Sequence, residues 1–254
     1  MKNKWHKLFN NKNFSYHLNS KFKIKSKNYF KDSFLLSKII YPGLNLKKFK
    51  KIINFISDKL KVSQGDSLLD FGSGNGGILY YFIKKYNLKN NYSFEISTPL
   101  INLQKKYIKK TLFYKTHHLS NNLTKKFKHD LVDYSMSISV FQYFYNNKYF
   151  YEVLDFLIKV TKKKLLIYDI KDFKTKKKYR EIVRKRQNLS KSEFLKKYKN
   201  TPIRFYDKSY IKNILKKLQK KYDFSFKFKN LPNTATDYKF GYCLIINKNK
   251  YIKF

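Results

Sequence analysis

Glycine is scarce in this chain, and four of its seven glycines fall within residues 72–77. The segment is Leu68-Leu69-Asp70-Phe71-Gly72-Ser73-Gly74-Asn75-Gly76-Gly77. Apolar residues lead in and a helical pattern follows, so a strand runs into a turn and a helix starts behind it. Glycines in such a turn let the backbone take positive φ and come close to a ligand. The first turn of the helix offers unpaired N–H groups to that ligand. This chemistry is the holding of a nucleotide-like cofactor. Glu95 ends the next strand-like stretch, about 20 residues beyond the glycines, where a carboxylate can accept both hydroxyls of a ribose.

Two templates fit the turn. Gly72-x-Gly74-x-x-Gly77 matches the dinucleotide fingerprint. Asp70-x-Gly72-x-Gly74-x-Gly76 resembles the first motif of class I S-adenosylmethionine-dependent methyltransferases. An acid two residues before the first glycine belongs to the second pattern. Further along, Asp130-Leu131-Val132 through Ser137-Ile138-Ser139-Val140-Phe141-Gln142-Tyr143-Phe144 resembles that family's fourth motif. Leu165-Leu166-Ile167-Tyr168-Asp169-Ile170-Lys171-Asp172 resembles its fifth strand.

The resemblance covers roughly residues 66–170. It implies S-adenosylmethionine as cofactor, held by Asp70, Gly72, Ser73, Gly74, Asn75, Gly76, Glu95, Ile96, His118 and Ser137. It also implies that Gln142 and Tyr143 line the acceptor pocket, with Tyr143 and Asp169 as candidates for catalysis. Asp172 shares the rim with Asp169, and either acid could instead cap the next helix. The family often has an acid after its third strand to contact adenine. His117-His118 stand there in this chain, and no Cys or acid completes a metal site around them, so no metal is expected. Arg180 and Arg184 share a helix face if their segment is helical. They could clamp a phosphate or carboxylate, or pair with Glu181 and Glu193.

Alternating strand and helix signals position these residues. From Leu46, apolar residues recur at Phe49, Ile52, Ile53, Ile56 and Leu60, which is helical spacing. Strands are expected at 67–71, 92–96, 111–115, 130–140 and 165–170. Helices are expected at 76–86, where Ile78, Tyr81, Phe82 and Tyr86 face inward, after Ser97-Thr98-Pro99, and at 149–160. The βα alternation implies a mostly parallel sheet with helices on both faces and ligands at the strands' carboxyl ends. Residues 173–200 and 208–222 read as helical. Residues 223–229 and 238–247 read as two closing strands. The expected fold is α/β, a Rossmann-like class I methyltransferase fold with a C-terminal antiparallel hairpin. Residues 1–65 form a basic N-terminal helical extension, and residues 66–254 form the domain, with 171–222 as a substrate-covering insertion.

The chain of 254 residues carries a net charge of +42, with 42% hydrophobic content. That content supports a core and excludes disorder throughout. Only four of the 58 basic residues are arginine, the better residue for forked phosphate contacts. Lys, Asn, Ile, Phe and Tyr abound while Ala235 is the only alanine. An AT-biased coding sequence accounts for much of that charge. Residues 66–170 are the least basic long stretch, which puts the excess on the flanks. The flanks would suit an anionic acceptor or peripheral contact with an acidic membrane surface. One cysteine excludes an internal disulfide, and no apolar run is long enough to span a bilayer, so a cytoplasmic protein is expected. The function expected is methyl transfer to a small-molecule or saccharide acceptor. The alternatives are an RNA methyltransferase, an NAD(P)-dependent oxidoreductase and a non-catalytic basic binding protein.

Overall fold

The computed structural model describes Phe34 and residues 45–108, 114–118, 131–199, 203–232 and 238–249. The expectations for residues 1–33 and 111–113 lie outside this set. The chain order is α1 (Leu46–Leu60), β1 (Leu68–Phe71), α2 (Gly77–Tyr86), β2 (Asn91–Glu95), α3 (Thr98–Ile108), β3 (Tyr114–His118) and β4 (Val132–Ile138). Then follow α4 (Asn147–Val160), β5 (Thr161–Lys171), α5 (Lys176–Arg186), α6 (Lys191–Tyr198), α7 (Lys208–Gln219), β6 (Phe224–Asn230) and β7 (Gly241–Lys248). Short 3₁₀ turns occupy Phe141–Tyr143, Phe173–Thr175 and Tyr238–Phe240.

The seven strands form one sheet in the order β3-β2-β1-β4-β5-β7-β6. The first five are parallel, whereas β7 runs antiparallel between β5 and β6. The chain moves outward from β1 through β2 to β3, then returns to β4 on the other side of β1. The order reverses there, and a crevice opens at the carboxyl ends of β1 and β4.

Strand alternation divides the core between the two faces. Leu69, Leu165, Ile167, Leu244 and Ile246 join Phe150, Val153, Leu154 and Leu157 of α4 and Ile211, Leu215 and Leu218 of α7. Leu68, Met136, Leu166, Tyr168, Cys243 and Ile245 join Leu79, Phe82 and Ile83 of α2 on the other face. Helix α1 belongs to that second layer through Phe49, Ile52, Ile53, Ile56 and Leu60, so the end of the basic leading segment packs on the sheet. The side chain of Asn45 caps α1 by accepting from Lys48 N at 2.8 Å. Among the described residues, no helix is long and apolar enough to cross a membrane.

Three local expectations need correction. Helix α2 buries Gly77, Leu79, Phe82 and Ile83, while Ile78, Tyr81 and Tyr86 are only half-buried. Its tyrosines lie at the edge, where Lys84 covers Tyr80 and Lys85 covers Tyr81 and Tyr86. Strand β3 reaches His118, so His117 and His118 end the strand and do not follow it. Strand β5 starts at Thr161 because Lys163 finds acids at the sheet's amino-terminal edge, Asp66 at 2.6 Å and Asp133 at 3.3 Å. The Ile56 side chain is fully buried. Ile56→Ala should therefore lower stability by about 2–5 kcal/mol, read from urea unfolding; a loss under 1 kcal/mol would show that α1 is not part of the core.

Candidate functional site

The glycine turn leaves β1 at the reversal point, and its backbone geometry explains the residue choice. Gly72, Gly74 and Gly76 have φ of 74°, 58° and 75°. A Cβ at Gly72 would lie 2.3 Å from Val140 Cγ2, and one at Gly76 2.5 Å from Ile108 Cδ1. Among the described residues, a Cβ at Gly74 would meet nothing within 4 Å. The outer two glycines therefore seat the loop against the segment just after β4 and against α3, while the middle one has open space beside it among the described residues. The amides of Gly72 and Ser73 both donate to Phe94 O, at 2.7 and 3.1 Å, anchoring the turn to β2. Asn75 accepts from Gly77 N at 3.1 Å with its Oδ1. Ser137, buried on β4, donates to Phe71 O at 2.9 Å and secures the last residue of β1.

Glu95 is buried at the end of β2, and its carboxylate gathers backbone amides. Oε1 accepts from Ile96 N and Ser97 N, each at 2.8 Å, and Oε2 accepts from Gly74 N at 2.7 Å. Burial pushes its pKa up to about 7, although these three bonds pull the other way. Asp70 lies on β1 between Ser93 of β2 and Met136 of β4. It is 2% exposed. Burial first, and then the nearby Glu95 charge, raises its pKa to about 8. Among the described residues, nothing forms a hydrogen bond to the Asp70 carboxyl. Glu95 lies opposite His118 in the β2–β3 register; the His117 and His118 side chains fall outside the described residues.

The other half of the crevice is built at the ends of β4 and β5. Ser139 and Asp169 both take left-handed φ, 57° and 64°, which side-chain-bearing residues rarely adopt. The Ser139 hydroxyl donates to Asp169 Oδ2 at 2.8 Å. Lys171 Nζ donates to Asp169 Oδ1 at 2.9 Å, with both side chains almost wholly buried. The same ammonium sits 5.4 Å from the centre of the Tyr179 ring on α5.

Residues 203–207 run across these strand ends. Arg204 N donates to Gln142 O at 2.9 Å, Tyr206 N to Lys171 O at 2.8 Å and Tyr206 Oη to Phe141 O at 3.0 Å. The Arg204 guanidinium holds Asn147 Oδ1 and Tyr145 O at 3.1 and 3.0 Å. Beside this strap, α5 and α6 form a small apolar cluster of Tyr179, Val183 and Phe194 with Phe240 of the last 3₁₀ turn. Gln142 is 2% exposed, and its Oε1 has no hydrogen-bond partner among the described residues. Tyr143 is half-buried in the same 3₁₀ turn.

Residues 23–200 match the family model described as mycolic acid cyclopropane synthetase. The chain belongs to that family. It is an S-adenosylmethionine-dependent methyltransferase, which decides between the two templates for the glycine turn. Solved structures agree in fold. Magnesium protoporphyrin IX methyltransferase from Synechocystis PCC 6803, solved with S-adenosylmethionine bound, has a TM-score of 0.58 and 11% identity, covering 98% of each chain. An O-methyltransferase family protein from Burkholderia thailandensis gives 0.56 at 12% identity, over 80% of this chain and 57% of that one. The small RNA methyltransferase HEN1 gives 0.56 at 15% identity, over 80% of this chain and 26% of that one. No curated protein sequence matches the chain.

The structure corrects the sequence reading at Asp169, which is fully buried and bound to Lys171 and Ser139, so it is not a free base. Arg184 takes the second of its two expected roles, pairing with Glu181 at 2.8 Å, and also donates to Leu189 O, just beyond α5, at 2.9 Å. Arg180 is exposed on the same helix. Asp172 caps the following 3₁₀ turn by accepting from Lys174 N at 3.0 Å. Sequence reasoning missed Ser139, Lys171, Arg204 and Gln104. Of these, Gln104 left a signal: a polar residue within the apolar stripe of Ile101 and Ile108.

Two measurements test the electrostatics. Lys171→Met strands the buried Asp169 charge and should cost about 3–5 kcal/mol; adding Asp169→Asn should recover much of that loss in a double-mutant cycle. Asp70 and Glu95 bind their protons more tightly folded than unfolded, where values near 3.8 and 4.5 apply. Their contribution to stability is therefore full below about pH 4 and is lost as pH rises through about 7–8. Asp70→Asn should flatten the upper part of that slope in thermal melts of the donor-free protein, and an unchanged slope would contradict the assignment.

Proposed function

We propose that this methyltransferase acts on a small, enclosed acceptor, a small molecule or saccharide that offers a hydrogen-bond donor. The observation that carries this reading is the strap of residues 203–207 fastened over the ends of β4 and β5. An acceptor site beneath such a cover suits a compact molecule better than an RNA helix. Gln142 supports the chemical class. A buried amide oxygen without a partner is costly, and a hydroxyl or amine of the acceptor would satisfy it.

The donor half falls to the glycine turn, Asp70 and Glu95. The residues fit such a group: Gly74 faces open space, and Asp70 is a buried acceptor without a hydrogen-bond partner among the described residues. S-adenosylmethionine supplies a methyl group made electrophilic by its sulfonium. Glu95 and Asp70 would accept from the donor's hydroxyl and ammonium groups, and the backbone of Ser73, Gly74 and Asn75 would line its path. Ile96, His118 and Ser137 complete the expected donor contacts. Gln142 and Tyr143 would orient the acceptor. Asp169 is committed elsewhere, so positioning the two reactants in line is the main contribution left to the protein. The arginine clamp for an anionic acceptor loses Arg184 and keeps only Arg180.

Titration with S-adenosylmethionine tests the donor half. Asp70→Ala and Glu95→Ala should each weaken binding by about tenfold or more, and unchanged affinity in both would sink the assignment. Incubating fractionated cell extract with a labelled methyl donor tests the acceptor. Label is expected in the small-molecule or glycan fraction at any moderate salt. Label in RNA, falling steeply as salt rises, would favour the RNA reading instead.

A further inference from the structure

Gln104 on α3 is completely buried, and its amide reaches beyond α3 to β2 and the glycine turn. Ser93 Oγ donates to its Oε1 at 2.8 Å. Its Nε2 donates to Ser73 Oγ at 2.9 Å and to Gly74 O. The two amide hydrogens are thus matched to two acceptors in the glycine turn, and the amide oxygen is matched to the neighbouring strand. Its stem also lies under the turn, since a Cβ at Gly76 would meet Gln104 Cγ at 2.9 Å.

We infer that Gln104 is the positioning residue for the donor site, holding the Gly74 carbonyl so that the turn presents one fixed backbone surface to S-adenosylmethionine. Gly74 is gripped at both ends by the β2–α3 unit. Glu95 accepts from its N–H and Gln104 donates to its C=O. The peptide is planar and trans, so fixing the Gly74 carbonyl also fixes the direction of the Asn75 N–H. A glycine at φ 58° with open space beside it has little else to resist backbone motion. Ser93 anchors the amide from behind, from a register position directly beside Asp70. The shape of the donor site therefore depends on a side chain that need not touch the donor. This role rests on the donor lying against the glycine turn.

The test compares wild type with Gln104→Met, which keeps length and volume but removes the amide, and with Ser93→Ala, which frees the amide oxygen. Ile83→Val, a mild cavity variant in α2, serves as a destabilised control. Affinity for S-adenosylmethionine is read by calorimetry, and hydrogen exchange at Gly74 and Asn75 is read in the donor-free protein. Gln104→Met should weaken binding by about tenfold and speed exchange at both amides. Ser93→Ala should do both to a smaller degree, and Ile83→Val should do neither. Wild-type affinity and exchange in Gln104→Met, or equal weakening in the control, would overturn the role. If Gln104→Met does not fold, Ser93→Ala decides: unchanged affinity and exchange overturn it. A wild-type protein that binds no donor, or one that Glu95→Ala leaves unaffected, would overturn the donor-site reading itself. Binding that responds to Glu95→Ala but not to Gln104→Met or Ser93→Ala overturns Gln104 alone.

Discussion

A glycine-rich turn has almost no side chains with which to hold its own shape. Its peptide groups must be held by neighbours, and here the neighbours come from one consecutive unit. Phe94 O takes the amides of Gly72 and Ser73, Glu95 takes that of Gly74, and Gln104 takes the Gly74 carbonyl. The turn at the end of β1 is therefore a cast of β2 and α3. That dependence accounts for the parallel β1–β2 pairing, the placement of Glu95 at a strand end and a buried glutamine inside an apolar helix stripe.

The same constraint makes the site acidic within a very basic protein. Asp70 and Glu95 are buried close enough for the charge of one to raise the pKa of the other, and no lysine pairs with either among the described residues. Half a sheet away, Asp169 is fully neutralised by Lys171. The two pairs of groups do different work. The ion pair, through Ser139 and Tyr179, ties the end of β5 to the residue just past β4 and to α5. Asp70 leaves a demand for a hydrogen bond, and both acids a demand for positive charge, that the described residues do not meet, and a sulfonium donor with an ammonium and two ribose hydroxyls would meet it.

Much of this was legible in the sequence because it rests on local patterns. The 3.6-residue spacing of Phe49, Ile52, Ile53, Ile56 and Leu60 fixes the buried face of α1. The continuous apolar run Leu165–Tyr168 identifies a strand with two buried faces. The Asp70–Gly76 pattern locates the crevice, since its glycines are needed for backbone reasons that any sequence displays. What stayed hidden depends on contacts distant in sequence. Gln104 meets residues 30 and 31 positions earlier. Arg204 reaches back to Asn147 and Tyr145. Asp169 and Lys171 show their spacing in sequence, but not that both are buried. The sequence left Arg184 open between a ligand clamp and a pair with Glu181, and only the fold brings it to Glu181 and Leu189 O.

Under the proposed reading, the segment after β5 bears on what the enzyme would accept. An open crevice at the end of a parallel sheet admits a polymer from the side. Here the strap is sewn to β5 and to the turn after β4, by Arg204 N to Gln142 O, Tyr206 N to Lys171 O and the Tyr206 hydroxyl to Phe141 O. The Arg204 guanidinium ties it further to the turn before α4. Lifting such a strap means breaking several bonds at once, three of them to the backbone carbonyls of Phe141, Gln142 and Lys171. Basic charge on α5 and α6 would draw an anionic partner toward the surface, but attraction at long range would not lift the strap. If the acceptor binds beneath the strap as proposed, size selection there and charge attraction outside it would be separate physical filters. The first would limit which atoms reach the methyl group, and the second only how often a molecule arrives.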